Sequence, residues 1–182
     1  MSANTSEPSR PARHGPCRFQ RYVEIHETIM ERFRGTHFVG ADTLTFLQLG
    51  RRLMLCGEIG CKGRIVIGVA KELEYVEDAT SADDPLIQTV RYSYNVSVQS
   101  SGIVFRYDNQ HEREGHADRH HKHVFNWPDV EEPSGSPVWI GAAQWPTLQE
   151  VIAEAMAWHA NNYDRLVQPE SFPNQLQSGL RF

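Results

Sequence analysis

The sequence predicts an α+β fold, a single domain in which an antiparallel sheet of about five strands has one helix before it and one helix after it. Three observations carry this. Apolar residues recur at helical spacing between Phe19 and Arg34, the period changes to strand-like alternation from Thr43 onward, and a helix start signal stands at Thr147. A chain of 182 residues is long enough for one domain with a real core and too short for two well-built ones.

Residues 1–18 are rich in Ser, Pro and Arg without periodic apolar positions, and are expected to form a disordered arm. They lack the apolar core of a signal peptide. Phe19 to Arg34 places Tyr22, Ile25, Ile29, Met30 and Phe33 on one helical stripe, with Gly35 as the stop; His26 beside that stripe reads as a structural histidine. Thr43 to Leu49, Leu53 to Cys61 and Arg64 to Tyr75 read as a three-strand meander with turns near Gly50-Arg51 and at Cys61-Lys62-Gly63. A three-residue second turn with Gly63 left-handed puts Leu53, Leu55 and Ile59 on the face of Ile65, Ile67, Val69 and Leu73. Lys71 falls among these apolar positions, where a lysine is expected to carry its ammonium out to water. Glu58 falls on the other face.

After an acidic loop from Glu77 to Pro85, Arg91 to Val98 and Ile103 to Asn109 form a hairpin through Gln99-Ser100-Ser101-Gly102. A two-residue loop pairs Val98 with Ile103, Val96 with Phe105 and Tyr94 with Tyr107 on an apolar face. It pairs Ser97 with Val104, Asn95 with Arg106, Ser93 with Asp108 and Arg91 with Gln110 on a polar face. A further strand starts at His121. Thr147 and Glu150 form a capping box that opens a helix running to Tyr163, with Leu148, Val151, Ile152 and Ala155 inward. The domain is expected to span 19–167, and 168–182 to be a flexible tail.

No apolar run approaches the ~18 residues of a membrane span, so a cytoplasmic protein without membrane contact is the expectation. Three cysteines, Cys17, Cys56 and Cys61, match no zinc spacing and form no disulfide framework. A net charge of -5 argues against a wholly basic nucleic-acid-binding surface. The stretch from Arg91 to His123 differs: five Arg or Lys stand against four acids, with five of the nine histidines. Histidine titrates near ~6.5, so this segment gains positive charge as pH falls.

That stretch holds the residues suited to chemistry. Arginines give bidentate hydrogen bonds to a phosphate, and a histidine pair can take a proton from a ribose 2'-hydroxyl and return one to the leaving oxygen. Arg91, Arg106, His111, His121 and His123 supply those parts, and Asp108 can orient one imidazole. Tyr92, Tyr94 and Tyr107 would stack bases only if exposed, and their place on the apolar face favours a core role. A second reading is a divalent metal site, zinc or manganese, on His116, His120, His121 and His123, with Asp108 or Asp118 as an oxygen ligand. A third is a solvated basic loop.

The runs Leu55-Cys56-Gly57-Glu58-Ile59, Arg64-Ile65-Val66-Ile67-Gly68-Val69-Ala70-Lys71, Tyr92-Ser93-Tyr94-Asn95, Phe105-Arg106-Tyr107-Asp108-Asn109 and His120-His121-Lys122-His123 resemble the TumE-type family of prokaryotic toxin-antitoxin systems, over about residues 43 to 127. The resemblance implies a small cytoplasmic toxin neutralised by an adjacent antitoxin, typically a DNA-binding helix-turn-helix protein. Analogy with other small sheet-and-helix toxins suggests a ribonuclease acting on RNA. Those toxins usually place their helices before the sheet, and this chain departs from that order with a long helix after its strands. The alternative is a non-catalytic metal- or nucleic-acid-binding module.

Overall fold

The computed structural model describes residues 14–76, 83–110, 119–128 and 133–179. Its strands are β1 (Cys17–Arg18), β2 (Val39–Asp42), β3 (Thr45–Leu49), β4 (Arg52–Cys61), β5 (Ile65–Tyr75), β6 (Leu86–Val98), β7 (Gly102–Asp108), β8 (His121–Val124) and β9 (Val138–Trp139). They form one antiparallel sheet in the order β2-β4-β5-β6-β7-β8-β9, with β3 also on β4 and β1 on β6. Two helices, α1 (Phe19–Gly35) and α2 (Leu148–Asn161), complete the α+β architecture.

The sheet therefore has nine strands among the described residues, not about five. The additional strands include β1 and β9, of two residues each, and β2, of four. A run that short carries no legible period and exists because a longer neighbour offers it backbone hydrogen bonds. Cys17 and Arg18, at the end of the stretch expected as a disordered arm, are thus held against Ile87 and Leu86.

The central hairpin needs a second correction. Tyr94 faces Tyr107, Val96 faces Phe105, Asn95 faces Arg106 and Ser93 faces Asp108 as expected, but Ser97 pairs with Ile103 and Val98 with Gly102. The turn holds three residues, with Ser100 at φ 63° and Gly102 at φ 112°, and a bulge at Val104 absorbs the extra residue.

Both helices pack on the apolar face. Ile29, Met30 and Phe33 of α1 and Leu148, Val151, Ile152 and Ala155 of α2 join Ile59, Ile67, Val69, Tyr94 and Val96 in one buried cluster. Full burial of such side chains stabilises by roughly 1.5–3 kcal/mol each before entropy is counted. The box that starts α2 is present: the Glu150 amide donates to Thr147 Oγ1 at 3.4 Å and the Thr147 amide to Glu150 Oε2 at 2.8 Å. Asp84 supplies the start of α1 from another loop, accepting from the Gln20 amide at 2.9 Å.

Among the described residues, the other face carries no α-helix. The stretch expected as a tail runs along one edge of it. Lys62 pairs with Glu170 at 2.5 Å, the Arg64 amide donates to Ser171 O at 2.8 Å, and the Gln177 amide donates to Glu58 Oε2 at 2.6 Å.

Gly57 has φ 140°, and a Cβ there would meet Thr43 O at 2.4 Å, because the chain crosses from β2 to β3 directly over it. Gly57→Ala is expected to destabilise by about 1–3 kcal/mol or more, read from urea unfolding. His26 is buried, with Nδ1–H donating to the Tyr22 carbonyl at 2.9 Å. Burial first, then the nearby Lys71, pushes its pKa down to about 4. The unfolded chain takes up that proton near ~6.5 while the folded chain resists it, so stability present above pH ~6.5 is lost as pH falls toward 4, by on the order of 3 kcal/mol. Urea melts between pH 7 and pH 4 should show this slope, reduced in His26→Phe.

Candidate active site on the helix-free face

Side chains alternate across a strand, and the β7–β8 ladder decides which histidines join the hairpin's polar residues. Arg106 stands opposite His123 and Asp108 opposite His121, while the intervening pair, Tyr107 and Lys122, points to the helix face. There Lys122 pairs with Glu154 of α2, which also accepts from the Tyr107 hydroxyl at 2.7 Å. Arg106, Asp108, His121 and His123 are thereby gathered on the face that the helices leave uncovered.

Asp108 is the hub. Its side chain is 4% exposed, with Oδ2 2.9 Å from Arg106 Nε and Oδ1 3.1 Å from His121 Nε2. The Arg106 contact is an ion pair whose N–H is not aligned for a hydrogen bond. Arg106 keeps 36% of its side chain exposed, enough to meet a ligand. His121 is buried against Trp139, at 5.3 Å between ring centroids. Its Nδ1 lies 2.7 Å from the Arg119 carbonyl. The carbonyl only accepts, so His121 Nδ1–H donates to it, which turns Nε2 toward Asp108 as a close ion-pair contact. His123 is half-buried and meets the His121 ring edge-on at 4.9 Å.

Next to this cluster the floor of the sheet drops. Gly68, Ala70 and Ser93 are small, and together with Glu58 and Asn95 they line a polar cavity of about 340 Å³ roofed by Gln177. Asn95 faces Arg106, and its buried Oδ1 has no hydrogen-bond partner among the described residues. One ligand atom from each of Asp108, His121 and His123 lies within 4.8 Å of the others, close enough to hold a metal ion.

Other expected site residues lie elsewhere. Arg91 shares the face but is exposed and stands 4.0 Å from Glu72, which Arg52 holds at 2.6 Å. His120 points to the helix face, with Nδ1 3.1 Å from the Tyr92 hydroxyl and its ring against Trp145, so it does not join His121 and His123. His111, His116 and Asp118 lie outside the described residues. Tyr92, Tyr94 and Tyr107 are buried, which settles them as core. The cysteines are free thiols, Cys56 and Cys61 are buried, and burial pushes their pKa up. Sequence reasoning missed Trp139, whose two-residue strand has no pattern, and the Arg119 carbonyl, which no side-chain motif can signal.

No described helix is long and apolar enough to cross a membrane. No curated protein and no solved structure matches the chain. The family model described as Toxin TumE does, over residues 59–161, which include β4 from Ile59, the Arg106-Asp108-His121-His123 cluster and α2. That match covers more than half of the sequence, and the chain belongs to the TumE toxin family.

Proposed function

We propose that this toxin is a ribonuclease acting in the cytoplasm, with Arg106, Asp108, His121 and His123 as its working group. The observation that carries the reading is their convergence on an open face, where one buried carboxylate ties an arginine to a histidine. Arg106 would bind the scissile phosphate and meet the charge that develops on it. His123, the more exposed imidazole, would take the proton of the ribose 2'-hydroxyl. The 2'-oxygen then bonds to phosphorus, the bond from phosphorus to the 5'-oxygen breaks, and protonated His121, turning its Nε2–H from Asp108 Oδ1 to that leaving oxygen, gives up the proton. The products are a 2',3'-cyclic phosphate and a free 5'-hydroxyl, and solvent returns the proton from His123 to His121. Asp108 positions His121, and the cavity beside Asn95 is the seat for the adjoining nucleotide.

A toxin role implies an antitoxin, and we take it to be a helix-turn-helix protein encoded next to this gene. A neighbouring reading frame of that kind, and its copurification with the toxin, is the expected finding.

The closeness of the Asp108, His121 and His123 ligand atoms favours a second reading, a zinc or manganese site. The Arg119 carbonyl on His121 Nδ1 is the kind of contact that orients a ligating imidazole. The Arg106 cation beside Asp108 works against it.

Purified toxin, free of antitoxin, is expected to cleave total cellular RNA and leave cyclic-phosphate ends. Arg106→Ala and His123→Ala should each lower the rate by about 10²-fold or more with circular dichroism unchanged. Arg91→Ala should act on KM and little on kcat. Unchanged growth inhibition by both Arg106→Ala and His123→Ala on induced expression would overturn the assignment.

Cleavage should survive a chelator. Loss with chelator and recovery with zinc or manganese would instead make His121 and His123 ligands. No cleavage under any of these conditions would leave a binding module that acts by sequestration.

A further inference from the structure

On the opposite, helix face of the sheet, a cavity of about 300 Å³ lies between α1, residues 14–17 and the start of α2. Its size is at the lower end of small-molecule sites. The unusual feature is Lys71. It does not carry its ammonium to water: the side chain lies at the cavity with 6% exposure, Nζ 5.0 Å from the Tyr22 ring centroid. Burial acts against its charge, and the phenol groups of Tyr22 and Tyr94 act for it.

Among the described residues no carboxylate pairs with Lys71. The acids that frame this region are committed elsewhere: Asp84 accepts from the first turn of α1, and Glu150 closes the cap of α2. A buried cation without a counter-charge is a costly arrangement that functional sites, more than structural ones, retain. Among the described residues Lys71 meets the phenols of Tyr22 and Tyr94 but no acid. His26, whose Nδ1–H goes to the Tyr22 carbonyl, lines the same cavity, and its buried Nε2 has no hydrogen-bond partner among the described residues. The rest of the wall is apolar, from Ile25, Ile29, Ile87 and Leu148. Trp145 is fixed in place by stacking on His14 at 3.6 Å and Tyr92 at 4.4 Å.

One ammonium and an apolar wall select the charge and shape of an occupant. A phosphate dianion would find one cation where it needs several donors. A neutral apolar molecule would leave Lys71 unmatched. We propose that this cavity binds a small organic monocarboxylate, with its carboxylate on Lys71 and a compact apolar body against Ile25, Ile29, Ile87 and Leu148. The site is on the other side of the sheet from Arg106 and is independent of the ribonuclease reading.

The test is calorimetric titration of the full chain with benzoate and cyclohexanecarboxylate, alongside benzamide and phenyl phosphate. Wild type should bind the carboxylates about tenfold or more tighter than benzamide. Lys71→Met should abolish that preference. Ile25→Trp, at a position half open to solvent and so tolerant of a larger ring, should fill the cavity and abolish binding altogether. Absence of carboxylate binding to wild type at millimolar concentration, a preference retained in Lys71→Met, or binding retained in Ile25→Trp would overturn the proposal. Tighter binding of phenyl phosphate than of benzoate would overturn the choice of monocarboxylate. If Lys71→Met fails to fold, the wild-type comparison of acid with amide and the Ile25→Trp variant still decide. RNA cleavage is not read in any arm, so failure here leaves the Arg106 site untouched.

Discussion

The direction in which β8 presents its side chains determines whether a candidate site exists at all. The strand has four residues, His121-Lys122-His123-Val124, and no apolar alternation of its own to orient it. A slip of one residue would send both histidines into the core face and Lys122 into the site. What sets the direction is Lys122, which pairs with Glu154 on α2 and stands over the Phe105 and Tyr107 rings at 4.9 and 5.0 Å. An ion pair of this kind is worth little as stability when exposed. Its weight here is in register: the α2 carboxylate, which also accepts from the Tyr107 hydroxyl, gains a cationic partner from β8 only when His121 and His123 face away from the helices.

The same reasoning shows which parts of the molecule could be read in the residues. The inward face of the hairpin, the meander and the capping box at Thr147 follow from patterns several residues long, in which each position repeats the same statement. The pairing of Asn95 with Arg106 and of Ser93 with Asp108 was legible for that reason. The turn between β6 and β7 was not, because a two-residue and a three-residue loop differ by one residue that a bulge can absorb without disturbing the alternation beyond it. Nor was the position of the helices, since periodicity gives a helix its apolar side but not the sheet face it lands on. The histidine cluster shows the limit most plainly. Five residues close in sequence suggested a shared role, yet strand alternation sends His120 to Tyr92 and Trp145 while His121 and His123 go to Asp108.

Lys71 failed as a sequence reading for a different reason. A lysine stem can snorkel only if water is within reach of its end, and here α1 and residues 14–17 close over the strand. The sequence near Lys71 contains nothing that announces this, because the covering residues come from about 50 positions upstream.

The two faces of the sheet then hold opposite solutions to the same electrostatic problem. On one, Asp108 is buried to 4% exposure but touches two cationic or protonatable partners, so its charge is balanced by protein. On the other, Lys71 is buried as deeply with aromatic rings around it and no acid among the described residues. A balanced buried charge can be structural, since pairing repays much of its desolvation; an unbalanced one is better accounted for by something that arrives. By that criterion the Asp108 group is balanced within the protein, and in the proposed function only a substrate on Arg106 is added to it. The Lys71 group, by our proposal, is completed by a ligand's own negative charge.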